Sequence, residues 1–101
     1  MKIILGSHSS GKTKRILELS LVNNVPILCE SKERVKRLLE KAQGYGYRIP
    51  IPISLDEIES SGVKEVYIDE IDYVFEQLLK LKIGAVTLNK DDYNELEDLD
   101  K

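Results

Sequence analysis

The chain has few of the residues that cross-link small secreted domains or build metal clusters. It contains one cysteine, Cys29, one histidine, His8, and no tryptophan. A lone cysteine forms neither a disulfide within the chain nor a cysteine-based zinc site, so we expect a reducing, cytoplasmic setting. Cys29 ends an apolar run that begins at Val25. We therefore expect it to be buried as a small apolar residue rather than to act as a nucleophile.

Long apolar runs and an excess of positive charge are also missing. No run approaches the roughly 20 apolar residues that a membrane-spanning helix needs, and no signal-peptide profile precedes residue 20. The net charge is −3, which argues against a nucleic-acid partner held by a broad basic surface. The length of 101 residues and a hydrophobic content of 42% predict one globular domain over residues 1–101, with no membrane partner.

A glycine-rich segment near the start of the chain matches the phosphate-binding pattern G-x-x-x-x-G-K-[ST] in full. We expect its eight residues to surround the phosphates of a nucleotide: Gly6, Ser7, His8, Ser9, Ser10, Gly11, Lys12 and Thr13. The glycines allow backbone N–H groups to face the phosphates, Lys12 supplies a charge, and the Thr13 hydroxyl is a ligand for Mg²⁺. His8 either contacts a phosphate and senses pH, or fills a variable loop position.

The segments on both sides of this loop fit the same interpretation. Residues 2–5 are an apolar run typical of a buried strand, and Ile16, Leu17 and Leu21 follow at helical spacing. Asn23 and Asn24 are a helix stop signal. The positive end of the helix dipole would then lie at the phosphates.

Further along the chain, strand and helix patterns alternate. We predict strands near residues 25–29, 64–69 and 85–88, an edge strand or loop over 48–53, and helices over 31–44, 54–62 and 71–84. This order predicts an α/β fold, a three-layer αβα sandwich with a mostly parallel sheet of four to five strands. Residues 91–101 are strongly acidic and are expected to form a tail or a short helix.

An acidic pair follows the predicted strand of residues 64–69. Asp69 is placed to hold Mg²⁺ together with Thr13, and Glu70 to accept a proton from the water that attacks a phosphate. The alternative is that both carboxylates cap the next helix. Asn89 has two interpretations as well: it contacts the terminal phosphate from the end of the last strand, or it is a turn residue.

The chain resembles the P-loop NTPases with a catalytic glutamate, the group that includes RecA-like and AAA+ ATPases. The residues that carry the resemblance are Gly6–Thr13, Val66–Glu70 and, in the place of a polar sensor, Asn89. It implies ATP and Mg²⁺ as cofactors, catalytic roles for Lys12, Glu70 and Asn89, and a sensor strand between the first strand and the one ending at Asp69. The loop also looks like that of the thymidine kinase family, although His8 stands where that family favours Met.

Compared with AAA+ proteins, the chain ends about where a fifth core strand would begin, which implies a truncated form. Arg34 and Arg37 are expected to be surface charges of a helix rather than arginine fingers, so hydrolysis would be slow. The leading hypothesis is a nucleotide-dependent accessory protein and slow ATPase. The alternatives are a non-catalytic interaction module or inhibitor of a larger AAA+ ATPase, and a small nucleoside or nucleotide kinase. The first strand would lie at an open sheet edge, where another protein or a second copy could pair.

Overall fold

The chain folds into a small α/β domain. The structure, a computed structural model, describes residues 1–92 and 95–101. Its strands are β1 (Lys2–Leu5), β2 (Ile27–Cys29), β3 (Ile53–Ser54), β4 (Tyr67–Ile68) and β5 (Glu95–Asp98). Its helices are α1 (Lys12–Asn23), α2 (Lys32–Tyr45), α3 (Ile58–Ser61) and α4 (Ile71–Leu79), with single 3₁₀ turns at Leu55–Glu57 and Lys90–Asp92.

The strands are parallel and belong to two small sheets. β1 pairs with β5, while β2 lies between β3 and β4. The predicted class, strands alternating with helices and pairing in parallel, is confirmed. The five strands do not form one sheet, and in the described residues no strand lies between β1 and β4.

Local signals in the sequence explain where the first helices begin and end. α1 ends at Asn24, which adopts the left-handed conformation that asparagine tolerates (φ 55°). α2 begins after Ser31, whose hydroxyl accepts a hydrogen bond from the Arg34 N–H at 3.1 Å. It ends at Gly46, whose φ of 77° favours glycine. These boundaries agree with the sequence prediction to within a few residues.

The core lies between α1, α2 and the three-stranded sheet. Its fully buried members are Leu17, Ile27, Cys29, Leu38 and Ala42. The prediction that Cys29 is a buried apolar residue is confirmed, and burial raises the pKa of its thiol to about 11. The thiol is therefore protonated near neutral pH, which makes it a poor nucleophile.

The predicted strand over residues 85–88 is wrong. This segment has no regular secondary structure, and Val86 and Leu88 are 70% and 57% exposed. A strand is stable only where its N–H and C=O groups pair with a neighbour. Within the described residues, this segment pairs with no strand of either sheet.

The prediction of a tail or a short helix over residues 91–101 is also wrong for residues 95–98. Residues 93–94 of that segment lie outside the described residues. Residues 95–98 form β5, and alternate side chains of a strand point to the same face. On that face Glu95 and Glu97 each lie 3.2 Å from the Lys2 ammonium, and Glu97 also pairs with Arg15. The negative charge of the segment therefore holds it to β1, and one side of the expected open edge is covered.

α4 exposes most of its apolar stripe. Val74 is 2% exposed and packs inward, whereas Ile71, Phe75, Leu78 and Leu79 are exposed. The helix begins at Ile71 as predicted but ends at Leu79 rather than near residue 84, and its apolar spacing does not place it in the core. Among the residues that the structure describes, no helix has the length and apolarity needed to cross a bilayer.

Candidate functional site

The glycine-rich loop joins β1 to α1 and has an unusual backbone. Gly11 has a φ of 97°, which side-chain-bearing residues rarely adopt, and Ser9 has a φ of 63°. A Cβ atom on Gly6 would collide with the hydroxyl of Ser10 and would crowd the Lys12 side chain. Gly11 is therefore favoured by its backbone conformation, and Gly6 by the closeness of the Ser10 and Lys12 side chains.

Lys12 folds back across this loop. Its ammonium donates hydrogen bonds to the carbonyl oxygens of Gly6 at 2.9 Å and Ser7 at 2.8 Å. It also lies 3.5 Å from the Glu70 carboxylate, in a pair that is partly open to solvent. The lysine thus connects the loop with the end of β4, which brings two predicted catalytic residues together.

Thr13 and Asp69 form the second connection between the loop and β4. The Thr13 hydroxyl donates a hydrogen bond to Asp69 Oδ2 at 2.8 Å, across 56 residues of sequence. Asp69 is only 7% exposed, and burial raises the pKa of its carboxyl group above its ordinary value. The hydrogen bond from Thr13 and the charge of Arg34 partly oppose that rise.

Arg34 reaches Asp69 from the first turn of α2. Its guanidinium lies 3.7 Å from Asp69 Oδ2 and 5.5 Å from the centre of the Tyr73 ring. The expectation that Arg34 is a surface charge is therefore wrong. Ser31 caps α2 two residues after the end of β2, and β2 is the parallel neighbour of β4 in the sheet. The first turn of α2 therefore lies at the edge of the sheet where β4 ends. The position of the Ser31 cap was therefore the signal in the sequence that Arg34 lies near Asp69.

Glu30 is a second carboxylate that the sequence prediction missed. It directly follows β2, and its charge contributes to the raised pKa of Cys29. Its Oε2 atom is buried and has no hydrogen-bond partner among the described residues. The carboxyl ends of the neighbouring strands β2 and β4 therefore both carry acidic side chains.

Glu70 combines an exposed carboxylate with a strained backbone. It occupies the cap position of α4 with a φ of 54° and a ψ of 64°, in the left-handed region, and its side chain does not cap the helix. For a residue other than glycine such a conformation costs about 1–3 kcal/mol. The alternative role as a helix cap is thus not observed for Glu70.

A cavity of about 300 Å³ lies beside the loop. Its lining combines five residues of the glycine-rich loop with side chains from α1 and α2 and with the end of β4. The lining residues are His8, Ser9, Gly11, Lys12, Thr13, Lys14, Lys41, Tyr45 and Glu70. His8 thus faces the cavity, and Lys14, Lys41 and Tyr45 were not predicted to do so.

A larger cavity of about 440 Å³ lies elsewhere, on the side of α2 that faces the following loop. It is lined by Leu39, Gln43, Gly46, Tyr47, Arg48 and Ile49. None of the predicted site residues contributes to it, and Arg48 is its one charged lining residue. We therefore assign the candidate site to the smaller cavity, on chemistry rather than on size.

A carboxylate from the last residues of the chain contacts the loop directly. Asp100 accepts a hydrogen bond from the Ser7 N–H at 2.7 Å through Oδ2 and one from the Ser7 hydroxyl at 3.0 Å through Oδ1. The Ser7 N–H and hydroxyl are therefore both donors to one carboxylate. No local signal in the sequence indicates this contact, because it depends on the pairing of β5 with β1.

The residues of this site suit a magnesium ion that is shared with a ligand. No group of three or more His, Cys, Asp or Glu side chains that could hold a metal occurs within residues 1–92 and 95–101. Thr13 Oγ1 and Asp69 Oδ2 are hard oxygen donors within contact of each other. Because Mg²⁺ usually takes one or two protein oxygens and completes its shell with phosphates and water, this donor set fits it.

The structure does not bring Asn89 to the loop. Its side-chain carbonyl accepts a hydrogen bond from the Asp91 N–H at 3.0 Å, the geometry of a local turn. Asn89 is exposed and does not line the cavity. Its role as a sensor stays a prediction that no contact in the described residues supports.

No protein-family model, curated protein or solved structure matches the chain. Its function is therefore inferred from the chemistry of the loop and of the adjacent strand ends.

Proposed function

We propose that this chain binds ATP with Mg²⁺ on the loop of residues 6–13 and acts as a nucleotide-dependent accessory protein with slow ATPase activity. The observation that carries the proposal is the 2.8 Å hydrogen bond between Thr13, in the loop, and the buried Asp69 at the end of β4. It joins two hard oxygen donors beside a loop whose backbone conformation requires glycine.

Three features of the loop support phosphate as its ligand. The Ser7 N–H already binds an anion, the Asp100 carboxylate. The Ser10 hydroxyl is buried without a hydrogen-bond partner among the described residues, so a donor is left for a ligand. The Lys12 ammonium is bound to two backbone carbonyls, weak competitors for a cation that a phosphate would attract.

Thr13 and Asp69 would hold the magnesium ion, which when bound neutralises charge on the phosphates. Before loading, Arg34 offsets part of the Asp69 charge. Asp69 must be ionised to ligate a cation, and its burial opposes ionisation, so binding is expected to weaken as the pH falls.

Glu70 is the candidate general base. When Lys12 turns from the loop carbonyls towards a phosphate, the Glu70 carboxylate is released from its 3.5 Å ion pair and is free to accept a proton from water. No arginine lines the cavity in the part of the chain that the structure describes, and Arg34 is held by Asp69. Because an arginine finger is worth about 10³–10⁵ in phosphoryl transfer, slow turnover is expected unless a partner supplies one.

A non-catalytic interaction module is the second candidate. The exposed apolar stripe of α4, which includes Ile71, Phe75 and Leu79, favours it. Such a module would keep the fold and bind a larger ATPase without binding nucleotide. Nucleotide binding therefore separates the two candidates.

ATP turnover by wild type and by Glu70→Gln tests the catalytic part of the proposal. We expect both proteins to bind Mg²⁺-ATP, and the variant to lose turnover by at least about 10²-fold, the usual contribution of a general base. Glu59→Gln, an equivalent change at an exposed residue of α3, serves as the matched control and should turn over at the wild-type rate. Equal turnover by wild type and Glu70→Gln would exclude the base role.

A further inference from the structure

Beyond the loop itself, one part of the cavity wall adds two positive charges and a tyrosine to the lining. Lys41 and Tyr45 lie one turn apart on α2, and Lys14 comes from α1. The Lys14 ammonium lies 5.4 Å from the centre of the Tyr45 ring, a cation–π contact that joins the two helices. None of these three side chains has a part in the site formed by Thr13, Asp69 and Glu70.

The charges of this wall are uncompensated at short range. Within residues 1–92 and 95–101, the ion pairs of the site join Lys12 to Glu70 and Arg34 to Asp69, and neither Lys14 nor Lys41 has a carboxylate within 4.0 Å. The charge of Lys41 acts on Asp69 only at longer range. Mg²⁺ and Lys12 together offset much of the charge of a bound triphosphate, so the two lysines remain available to another anion.

We propose that Lys14, Lys41 and Tyr45 form a subsite for a second anionic ligand, a phosphomonoester bound beside the nucleotide. The inference rests on the proposed function, because the nucleotide must occupy the loop side of the same cavity. Lysine binds phosphate as a mobile point charge, and the Tyr45 hydroxyl is a further donor. About 300 Å³ is small for a ligand cavity, so the phosphates lie inside and the rest of each ligand lies at the mouth.

The placement of the wall also fits a ligand that Glu70 can reach. Glu70 lines the same cavity as Lys41 and Tyr45, and its carboxylate is exposed there. A phosphomonoester on the lysines would thus share the cavity with the proposed base.

The test is a titration of the protein already loaded with Mg²⁺ and the β,γ-imido analogue of ATP. AMP, inorganic phosphate and adenosine are then added separately to wild type and to Lys41→Ala. We expect AMP and phosphate to bind the loaded wild type and adenosine not to bind. With the protein saturated by the analogue, Lys41→Ala should weaken the binding of both anions by about tenfold, the usual worth of one charge-assisted hydrogen bond.

Lys36→Ala is the matched control, because Lys36 is an exposed lysine of the same helix that does not line the cavity. It should leave all three affinities unchanged. Much tighter binding of AMP than of phosphate identifies a nucleoside monophosphate as the ligand, and equal binding identifies the phosphate group alone.

Two sets of results overturn the inference. Failure of the analogue itself to bind refutes the proposed function, and the subsite with it. If the analogue binds, the subsite alone is refuted when AMP and phosphate fail to bind the loaded protein. It is equally refuted when they bind only by displacing the analogue. It is also refuted when adenosine binds as well as AMP, or when Lys41→Ala binds AMP as wild type does.

Discussion

Asp69 shows at the scale of one residue how the requirements of a binding site oppose those of stability. Its carboxylate is buried, which raises its pKa, while Thr13 and Arg34 supply one hydrogen bond and one opposite charge. Because the raised pKa means that the folded state favours the protonated form, ionisation of Asp69 costs stability. The cost is absent below the ordinary pKa of 3.8, grows as the pH rises from there to the raised value, and is constant above it.

Asp69→Asn is therefore expected to stabilise the ligand-free protein at neutral pH. A gain of about 0.5–2 kcal/mol is typical of single stabilising substitutions. The difference between variant and wild type should vanish in unfolding experiments below about pH 3.8. The same variant should lose the magnesium dependence of ATP binding. A variant that is less stable than wild type at pH 7 would contradict the interpretation that ionisation of the buried Asp69 lowers the stability of the folded protein.

Under the proposed function, a phosphate bound at the Ser7 N–H would compete with Asp100, so removal of Asp100 should raise nucleotide affinity. Asp100→Ala frees the Ser7 N–H and hydroxyl, and the gain should be about three- to tenfold, since an exposed hydrogen bond of this kind is worth about 1 kcal/mol. Titration calorimetry with Mg²⁺-ATP measures the change. Asp91→Ala removes the same charge from an exposed position without a contact to the loop and is the control. Unchanged or weaker binding by Asp100→Ala would show that Asp100 does not occupy the ligand position.

At the scale of the element, β5 is attached by charge rather than by apolar burial. Glu97 accepts hydrogen bonds from Arg15 Nε at 2.7 Å and from Arg15 Nη2 at 3.1 Å, a bidentate pair, and Lys2 lies beside it. The hydrogen bond from Arg15 is the main reason that the pKa of Glu97 is lowered. Leu96, between the two glutamates, is exposed.

Glu97→Gln should loosen β5 and lower stability by about 0.5–1 kcal/mol, the worth of a partly exposed ion pair of good geometry. Because the pKa of Glu97 is lowered in the folded state, its contribution is present above the ordinary glutamate pKa of about 4.3 and is lost as the pH falls through the lowered value. Chemical unfolding at pH 7 and at pH 3 measures the change. Destabilisation of the same size at both pH values would show that the charge of Glu97 does not hold the strand.

At the scale of the whole molecule, sequence reasoning succeeded where structure is determined locally. The glycine-rich loop, the Ser31 cap and the Leu38 and Ala42 stripe depend on neighbours within a few residues, and these three features lie where they were expected. The pairing of Thr13 with Asp69 was also expected, because the carboxyl ends of parallel strands meet at one edge.

The errors concern contacts between distant parts of the chain. The acidic composition of residues 91–101 did not indicate a strand. The side chains that neutralise Glu97 are Lys2 and Arg15, which lie more than 80 residues away in the sequence. The apolar residues 85–88 indicated a strand, but a strand also needs an available neighbour. Composition and periodicity do not specify which edge a strand joins, so Asp100 on the loop could not be predicted either.

The central claim, that the loop of residues 6–13 binds Mg²⁺-ATP, is tested most directly by titration calorimetry on wild type, Lys12→Ala and the control Lys36→Ala. We predict measurable binding by wild type, binding by Lys36→Ala within about twofold of wild type, and a loss of at least about tenfold for Lys12→Ala, whose ammonium is the mobile charge of the loop. Absence of binding by wild type at millimolar ATP, or equal binding by Lys12→Ala, would contradict the claim.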